Sequence, residues 1–269
     1  MRVDLHLHST ASDGSLSPAA LVQSAVAGGL DVIALTDHDT VGGLAEAASA
    51  AAGCIHVIPG IEISTNQATS EIHILGYFID PGSAPMRDHE TTAVARRRER
   101  MVDIIDALRP SGIDVNITEV VEAAGNARIM ARPHLARVLV QRGYANNVTD
   151  AFDRWIGNGS VAFRPVNLVS PELAIQIIHA ASGMAVWAHP DITRFRADAR
   201  RFADAGLDGV ECFRPRCSAD ESLELERTAV GLGLLRTGGS DWHGPWSGRL
   251  GTFALGREEI GAFLERGGI

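Results

Sequence analysis

The chain begins with a segment in which apolar and polar residues alternate. From residue 3 to residue 8, valine and leucines share one face of an extended strand, and an aspartate and two histidines share the other. Residues 31–36 form a short apolar run, which is typical of a buried strand in a parallel sheet. Between them, Ser17-Pro18 predicts a helix start with proline at the first helical position, and the helix is expected to end near Gly28.

The same order of strand and helix returns near the end of the chain. Further strands are predicted at residues 55–58, 61–64, 72–79, 184–188, 209–213 and 233–237. Further helices are predicted at residues 41–52, 171–181, 195–205, 218–231 and 257–266. About seven strands that alternate with helices indicate an α/β fold with a parallel sheet or barrel. Histidines and aspartates stand where these strands end, which favours a barrel whose active site lies at the C-terminal mouth.

The middle of the chain departs from this pattern. No clear strand is recognisable between residues 81 and 165, where helices are predicted at 86–108, 118–124, 132–142 and 148–156. This stretch holds 12 arginines and 10 acidic residues, whereas the remainder holds 12 arginines and 23 acidic residues. We therefore predict an acidic barrel domain from residues 1–80 and 166–269, and a helical insertion domain at 81–165 that covers the substrate.

Every one of the 24 basic residues is arginine, and the formal net charge is −9. Without lysine, the chain lacks the residue needed by a Walker-type phosphate loop, by Schiff-base chemistry and by a protein kinase. Binding of anions must therefore depend on arginine, histidine, backbone N–H groups or metal ions.

Neither cysteine pairing nor a targeting segment is indicated. The three cysteines form no CxxC pair, the N-terminus has no signal-peptide pattern, and no apolar run reaches the length of about 18 residues that a membrane helix needs. The expectation is a soluble cytoplasmic protein with no membrane contact and no evident protein partner.

Ten histidine and carboxylate residues form a further pattern, and nearly all of them lie at predicted strand ends or in the loops that follow them. They are His6 and His8, Asp13, His38, Glu62, His73, His134, His189, and the Asp241–His243 pair. Imidazole and carboxylate ligands suit zinc, manganese or iron, and the absence of cysteine from these motifs argues against a structural thiolate zinc site. The pattern predicts a catalytic metal cluster that activates water and binds phosphate oxygens.

Together these motifs resemble the PHP family, named for polymerase and histidinol phosphatase domains. The resemblance covers nearly the whole chain. It is carried by Asp4-Leu-His6-Leu-His8-Ser, Thr36-Asp-His38-Asp, Gly60-Ile-Glu62, His73, Arg132-Pro-His134, Ala188-His189-Pro and Gly239-Ser-Asp241-Trp-His243. It implies a distorted, TIM-like seven-stranded (β/α) barrel with a trinuclear metal site.

Carried over by position, the resemblance implies three ligand sets. The first comprises His6, His8, Glu62 and Asp241; the second comprises Asp13, His38 and His243; the third comprises Glu62, His73 and His134, so that Glu62 bridges two ions. Some phosphatases of the family have histidine where this chain has Asp13. Because aspartate is a harder ligand, manganese is the expected metal of the three divalent ions, with zinc, iron and magnesium as alternatives.

The insertion that contains Arg132-Pro-His134 resembles one branch, the nucleoside 3′,5′-bisphosphate phosphatases, some of which also act as 5′→3′ exoribonucleases on short RNA. The resemblance implies a phosphoric monoester hydrolase that removes the 3′-phosphate of a nucleotide such as adenosine 3′,5′-bisphosphate, using a bridging water activated by the metals. The alternatives are an exoribonuclease or phosphodiesterase acting on short RNA, and a histidinol-phosphate phosphatase.

Several residues are assigned to substrate and catalysis. Arg132 is expected to pair with a phosphate, and His189 to hydrogen-bond or protonate the leaving oxygen. Asp37 is a catalytic candidate because it flanks a ligand and can orient it. Asp13 and Arg164 are further candidates for substrate contact.

For two further sets of residues, the sequence allows two alternative roles. The arginines at positions 96, 97, 98 and 100 form either a solvated helix face or a surface for a second phosphate or an RNA backbone. Either Trp242 or Trp246 offers a ring on which a base could stack, whereas packing in the core is the simpler explanation.

Overall fold

The computed structural model describes residues 1–67, 70–166 and 168–269, and its centre is a curled sheet in which seven strands follow one another in chain order. The strands are β1 Val3–Leu7, β2 Val32–Leu35, β3 His56–Gln67, β4 Ser70–Tyr77, β5 Met184–Trp187, β6 Gly209–Phe213 and β7 Leu235–Gly238. This seven-stranded α/β architecture confirms the predicted fold class.

Helices surround the sheet and fill the stretch between β4 and β5. They are α1 Pro18–Ala27, α2 Leu44–Ala51, α3 Ala84–Leu108, α4 Ile117–Ala124, α5 Arg132–Gln141, α6 Val148–Ala151, α7 Pro171–Ala180, α8 Ile192–Asp204, α9 Ala219–Leu232 and α10 Arg257–Arg266. The Ser-Pro starts behave as predicted, since Ser17 and Ser170 each accept a backbone N–H of the first helical turn. No helix within the described ranges is long and apolar enough to cross a membrane.

The expectation of a wholly parallel sheet is wrong at β4, which runs antiparallel to both β3 and β5. Only two residues separate β3 from β4 along the chain, which is too few for the crossover that parallel strands need. The strands predicted at 55–58 and 61–64 are also one continuous strand, which passes through Pro59 and Gly60. The continuous strand carries Glu62 into the fully buried interior.

The two ends of the sheet meet beside the motif at residues 239–243. The His8 N–H donates to the Trp242 carbonyl at 2.9 Å, and the Trp242 N–H donates to the His6 carbonyl at 3.2 Å. Gly239 permits this approach, because a Cβ atom there would lie 2.2 Å from the Cβ of His6. Closure of the sheet therefore brings the first and last metal-type motifs of the chain together.

The insertion helices bury a hydrophobic core of their own. Residues 81–166 contain helices and turns without a strand, as predicted. Ile104, Leu108, Val120 and Leu139 belong to a buried cluster that is distinct from the clusters under the sheet. The domain limits at 80/81 and 165/166 stay a prediction.

Buried ion pairs dock α3 onto the sheet. Arg97 donates through Nε at 2.8 Å and through Nη2 at 2.5 Å to Oδ2 of Asp39, and Nη2 also reaches Ser64 Oγ at 2.7 Å. His89 lies 3.1 Å from the other carboxylate oxygen of Asp39. Although burial opposes ionisation, the Arg97 and His89 contacts keep the pKa of Asp39 well below its usual range. The arginine run is divided accordingly: Arg97 and Arg100 are buried, and the intervening Arg98 is exposed.

We expect Arg97→Gln to lower the free energy of unfolding by about 3–5 kcal/mol, because it leaves a buried carboxylate without its charged partner. Arg98→Gln on the exposed face of the same helix is the matched control and is expected to change it by less than about 0.5 kcal/mol. Urea unfolding followed by circular dichroism measures both. Equal effects of the two variants would contradict the docking role of Arg97.

Candidate metal centre

Histidine and carboxylate side chains from six strands or strand ends converge on the mouth of the sheet. His6 lies in β1 and His8 directly follows it, and Glu62 and His73 face them from β3 and β4. Asp13 and His38 follow β1 and β2, His189 follows β5, and Asp241 and His243 follow β7. Because strand order follows chain order, motifs far apart in sequence become neighbours in space.

Glu62 is the centre of this cluster. Its Oε2 lies 3.2 Å from His6 Nε2, 3.1 Å from His8 Nε2 and 3.1 Å from His38 Nδ1. Its Oε1 lies 2.9 Å from His73 Nδ1 and 3.0 Å from His189 Nε2. Both oxygens of one fully buried carboxylate therefore face imidazole nitrogens, an arrangement suited to sharing Glu62 between cations.

Three groups of ligand atoms are close enough to hold an ion, with the atoms of each group within 4.8 Å of one another. The groups are His6, His8, Glu62 and Asp241; His8, Asp13, His38 and His243; and His38, Glu62 and His73. Eight of the nine residues predicted as ligands fall into these groups. Glu62, His8 and His38 each belong to two groups, so the groups form one connected centre rather than three separate sites.

The donor atoms themselves indicate that the centre suits cations. Within the described ranges, hydrogen-bond partners are missing for the buried atoms His6 Nε2, both ring nitrogens of His8, Asp13 Oδ1, His38 Nδ1 and Glu62 Oε2. Buried polar atoms without hydrogen-bond partners are costly, so a cation that accepts their lone pairs would stabilise them. Imidazole nitrogens and carboxylate oxygens in this number fit divalent transition-metal ions.

The carboxylates create a strongly negative potential in the centre. Burial disfavours the charged form of His243, but Asp13 and Asp241 outweigh it and raise its pKa to about 10. For His38, burial outweighs the attraction of Glu62 and lowers the pKa to about 3. A neutral His38 has a lone pair with which it can bind a metal ion. The acidic groups that favour a proton on His243 attract a metal cation in the same way.

His134, the ninth predicted ligand, does not join any of the three groups. Its Nδ1 accepts the Ala131 N–H at 3.1 Å, which caps the start of its own helix, α5. Burial lowers the pKa of His134 to about 4, although the charge of Asp13 opposes this effect. Its role as a ligand stays a prediction.

Several site residues adopt left-handed backbone conformations, which is rare for residues other than glycine. The φ angles are 53° at Asp39, 31° at His189 and 52° at Asp241. Hydrogen bonds hold two of these loops: the Asp39 N–H donates to the Glu62 carbonyl at 2.9 Å, and the His189 N–H donates to Glu211 Oε2 at 2.7 Å. Such strain is typical of functional sites, where the surrounding structure enforces it.

Glu211 is a supporting residue that sequence reasoning missed. It is buried in β6, and its Oε1 lies 3.0 Å from His6 Nδ1 while its Oε2 holds the His189 backbone. It therefore fixes the ring of one predicted ligand and the loop of the predicted proton donor. A glutamate inside the apolar strand 209–213 was the available signal, since a buried acid needs a partner.

Asp37 lies beneath the turn that carries Asp13. Its carboxylate accepts the Ser9 N–H, the Ser9 hydroxyl and the Ser12 hydroxyl, each at 2.7 Å. Burial raises its pKa, although these hydrogen bonds oppose that effect. The contacts orient the turn, whereas a catalytic role for Asp37 stays a prediction.

An arginine-lined cavity of about 140 Å³ adjoins the centre at Asp13, His38 and His73. Glu71, also missed by sequence reasoning, lies between its arginines, 2.6 Å from Arg100 Nη2 and 3.3 Å from Arg132 Nη2. These two guanidinium groups lower the pKa of Glu71 against the effect of burial. Arg97 also lines the cavity, so three arginines meet the carboxylates of Glu71 and Asp13 there.

Arg132 and Arg164 both form hydrogen bonds with residues close to them in the structure, and Arg132 also stacks on aromatic rings. Arg132 donates to Asn158 Oδ1 at 2.9 Å and stacks between the rings of Phe152 and Phe163, with distances of 5.6 and 5.5 Å to the ring centroids. The Arg164 guanidinium donates to the carbonyls of residues 161 and 163, and its own carbonyl accepts Arg100 Nε at 2.7 Å. Substrate contact by either arginine stays a prediction.

Comparisons with known proteins agree with this geometry. Residues 4–144 match the family model described as PHP domain. A Haemophilus influenzae protein named 5'-3' exoribonuclease is 38% identical, over 91% of this chain and 90% of its own length. A Chromobacterium violaceum protein named 3',5'-nucleoside bisphosphate phosphatase is 33% identical, over 91% of this chain and 88% of its own.

A solved structure from Chromobacterium violaceum, described as an amidohydrolase with bound sulfate and no metal, superimposes with a TM-score of 0.86 at 32% identity. The match covers 95% of this chain and 92% of the other. The chain therefore belongs to the PHP family, and it is a metal-dependent phosphoesterase, a hydrolase.

Proposed function

We propose that this chain hydrolyses the 3′-phosphate of nucleoside 3′,5′-bisphosphates. The observation that carries the proposal is the buried Glu62, whose two oxygens face five imidazoles next to a cavity lined by arginines. The metal-type centre suits the reacting phosphate, and the arginine cavity suits a second phosphate. The relative named 3',5'-nucleoside bisphosphate phosphatase supports the same substrate class.

We assign three divalent ions to the centre, with manganese as the expected metal because Asp13 is a hard ligand. His6, His8, Glu62 and Asp241 would hold the first, and Asp13, His38 and His243 the second. Glu62 and His73 would hold the third, with either His38 or the predicted His134 beside them. When bound, such ions supply Lewis acidity to the phosphate and an activated water as nucleophile.

His189 is proposed as the proton donor to the leaving sugar oxygen. Its ring lies in the mouth of the centre, one third exposed, and Glu62 Oε1 holds Nε2 at 3.0 Å. Glu211 fixes its backbone, so the ring has a defined position from which to reach the substrate.

The arginine cavity is proposed to bind the phosphate that is not cleaved. Arg97, Arg100 and Arg132 line it; Asp39 pairs with Arg97, and Glu71 offers a single negative charge to Arg100 and Arg132 together. Asp13 lines the same cavity and would meet the substrate from the metal side. Arg164 would act through its carbonyl, which positions Arg100.

Glu62→Gln is expected to lower kcat/KM by more than about 100-fold and to reduce the bound metal, because the neutral amide removes the charge shared between ions. Metal content by plasma mass spectrometry and phosphate release measure the two effects. Glu99→Gln, on the exposed face of α3, is the control and should leave both unchanged. Full activity and full metal content in Glu62→Gln would rule out this assignment.

Substrate comparison tests the role of the arginine cavity. Adenosine 3′,5′-bisphosphate is expected to exceed adenosine 3′-monophosphate in kcat/KM by at least about 100-fold, because an analogue without the second phosphate leaves the cavity unfilled. Phosphate release from both, and from histidinol phosphate, is measured under one condition. Equal rates for the two adenosine compounds would contradict the proposed substrate, and faster hydrolysis of histidinol phosphate would replace it.

A second candidate function is 5′→3′ exoribonuclease activity on short RNA. It is favoured by two clefts that flank the centre, of about 490 and 560 Å³, with His189 in the wall of both. The Haemophilus influenzae relative named 5'-3' exoribonuclease supports it as well.

A further inference from the structure

Two tryptophans close to the centre have opposite environments. Trp242 is 4% exposed, and its indole N–H donates to the Gly248 carbonyl at 2.8 Å, so it belongs to the core. Trp246 is 66% exposed on a short 3₁₀ helix, Pro245–Ser247. Core packing explains the first residue and leaves the second without a structural role.

Trp246 is held in place despite its exposure. A Cβ atom at Gly244 would lie 2.5 Å from Cη2 of the indole and 2.7 Å from Ser15 Oγ, so the ring lies directly against the glycine backbone. One part of the indole is therefore supported by the chain, and the remainder is presented to solvent. A large ring held in this way is suited to stacking.

The indole lines a cleft of about 560 Å³ that leads to the metal centre. His189, Asp241 and His243 form its inner wall, and Arg214, Arg216 and Trp246 form its outer part. The other cleft, of about 490 Å³, shares His189 and Asp191 with this one and is otherwise lined by residues that include His73, Asn158, Phe163 and Arg194. The centre is thus approached from two sides.

Arg214 adds a second, independent indication of a ligand. Its Nη2 donates to the Pro190 carbonyl at 2.9 Å, which fixes the guanidinium beside the cleft. Its Nη1 is buried and, within the part of the chain that the structure describes, has no hydrogen-bond partner. A buried N–H of a cation without an acceptor suits an anionic oxygen such as that of a phosphate.

The number of clefts bears on the substrate. The reacting phosphorus of a phosphomonoester carries one organic group, which needs one cleft, whereas a phosphodiester carries two organic groups that leave the phosphorus in different directions. A nucleoside bisphosphate therefore accounts for only one of the two clefts. The remaining cleft combines an aromatic platform with two arginines, which is the combination that binds single-stranded nucleic acid.

We propose that the Trp246 cleft is a subsite for a second nucleotide of a short oligonucleotide, with its base stacked on Trp246 and, in longer strands, the phosphate on its 3′ side held by Arg214 and Arg216. The proposal rests on the proposed nucleotide-phosphoesterase function of the centre and extends it from mononucleotides to dinucleotides and longer strands.

Trp246→Ala tests the subsite through paired substrates. For a 5′-phosphorylated diadenylate, the variant is expected to lower kcat/KM by about 5- to 100-fold, mainly through KM, because base stacking is lost. For adenosine 3′,5′-bisphosphate, the change is expected to stay below about twofold. Trp246→Phe should recover most of the dinucleotide activity, and Val230→Ala, at an equally exposed position on α9, should change neither.

Two outcomes would overturn the proposal: an equal loss on both substrates, which would assign the cleft to the mononucleotide itself, or no loss on either. Calorimetric binding of the diadenylate is measured with Glu62→Gln and with Glu62→Gln/Trp246→Ala, which separates binding from turnover. Weaker binding only in the double variant supports the subsite even if the bisphosphate proves not to be a substrate. Identical affinities reject the subsite even if the bisphosphate is hydrolysed.

Discussion

The arrangement of the whole metal centre depends on one buried carboxylate, Glu62, and the imidazoles that face it. An isolated anion in a dry interior is unstable, so the structure must provide positive partners. Five histidine rings from four strands or strand ends lie within about 3 Å of its two oxygens. Glu211 and Glu62 raise the pKa of His6, and the histidines keep the pKa of Glu62 well below its usual range, in both cases against the effect of burial.

The path of β3 makes this position possible. A strand of 12 residues passes from the parallel half of the sheet into the antiparallel hairpin, and Glu62 lies in its middle, where both halves meet. Closure of the sheet between β1 and Trp242 then brings Asp241 and His243 to the same point. The strained backbone at Asp39, His189 and Asp241 indicates that the surrounding structure fixes these loops in the conformation that directs their side chains to the site.

A second set of buried charges connects the insertion to the sheet. Arg97 of α3 forms an ion pair with Asp39, which follows β2. Arg100 of the same helix forms an ion pair with Glu71 of β4. The net charge of −9 therefore conceals a local separation: carboxylates concentrate at the centre, and arginines of the insertion face them across a small cavity. A polyanionic substrate fits this arrangement, although the charge of the whole chain is negative.

Local patterns predicted much of the fold and the site. The alternation at residues 3–8, the Ser-Pro helix starts and the position of histidines at strand ends follow from neighbouring residues, so they were recognisable in the sequence. The reversed direction of β4 and the continuity of β3 depend on pairing between distant strands. Glu71 and Glu211 were missed because their partners, Arg100 and His6, are 29 and 205 residues away. Sequence also could not separate Trp242 from Trp246, since only packing decides which ring is exposed.

The central claim is that Glu62 is shared between cations at the mouth of the sheet. Its most direct test is an anomalous difference map at the manganese edge from crystals grown with Mn²⁺. The account predicts peaks on both sides of the Glu62 carboxylate, one among His6, His8 and Asp241 and another beside His73. A map with a single peak, or with peaks that do not contact Glu62, would contradict it.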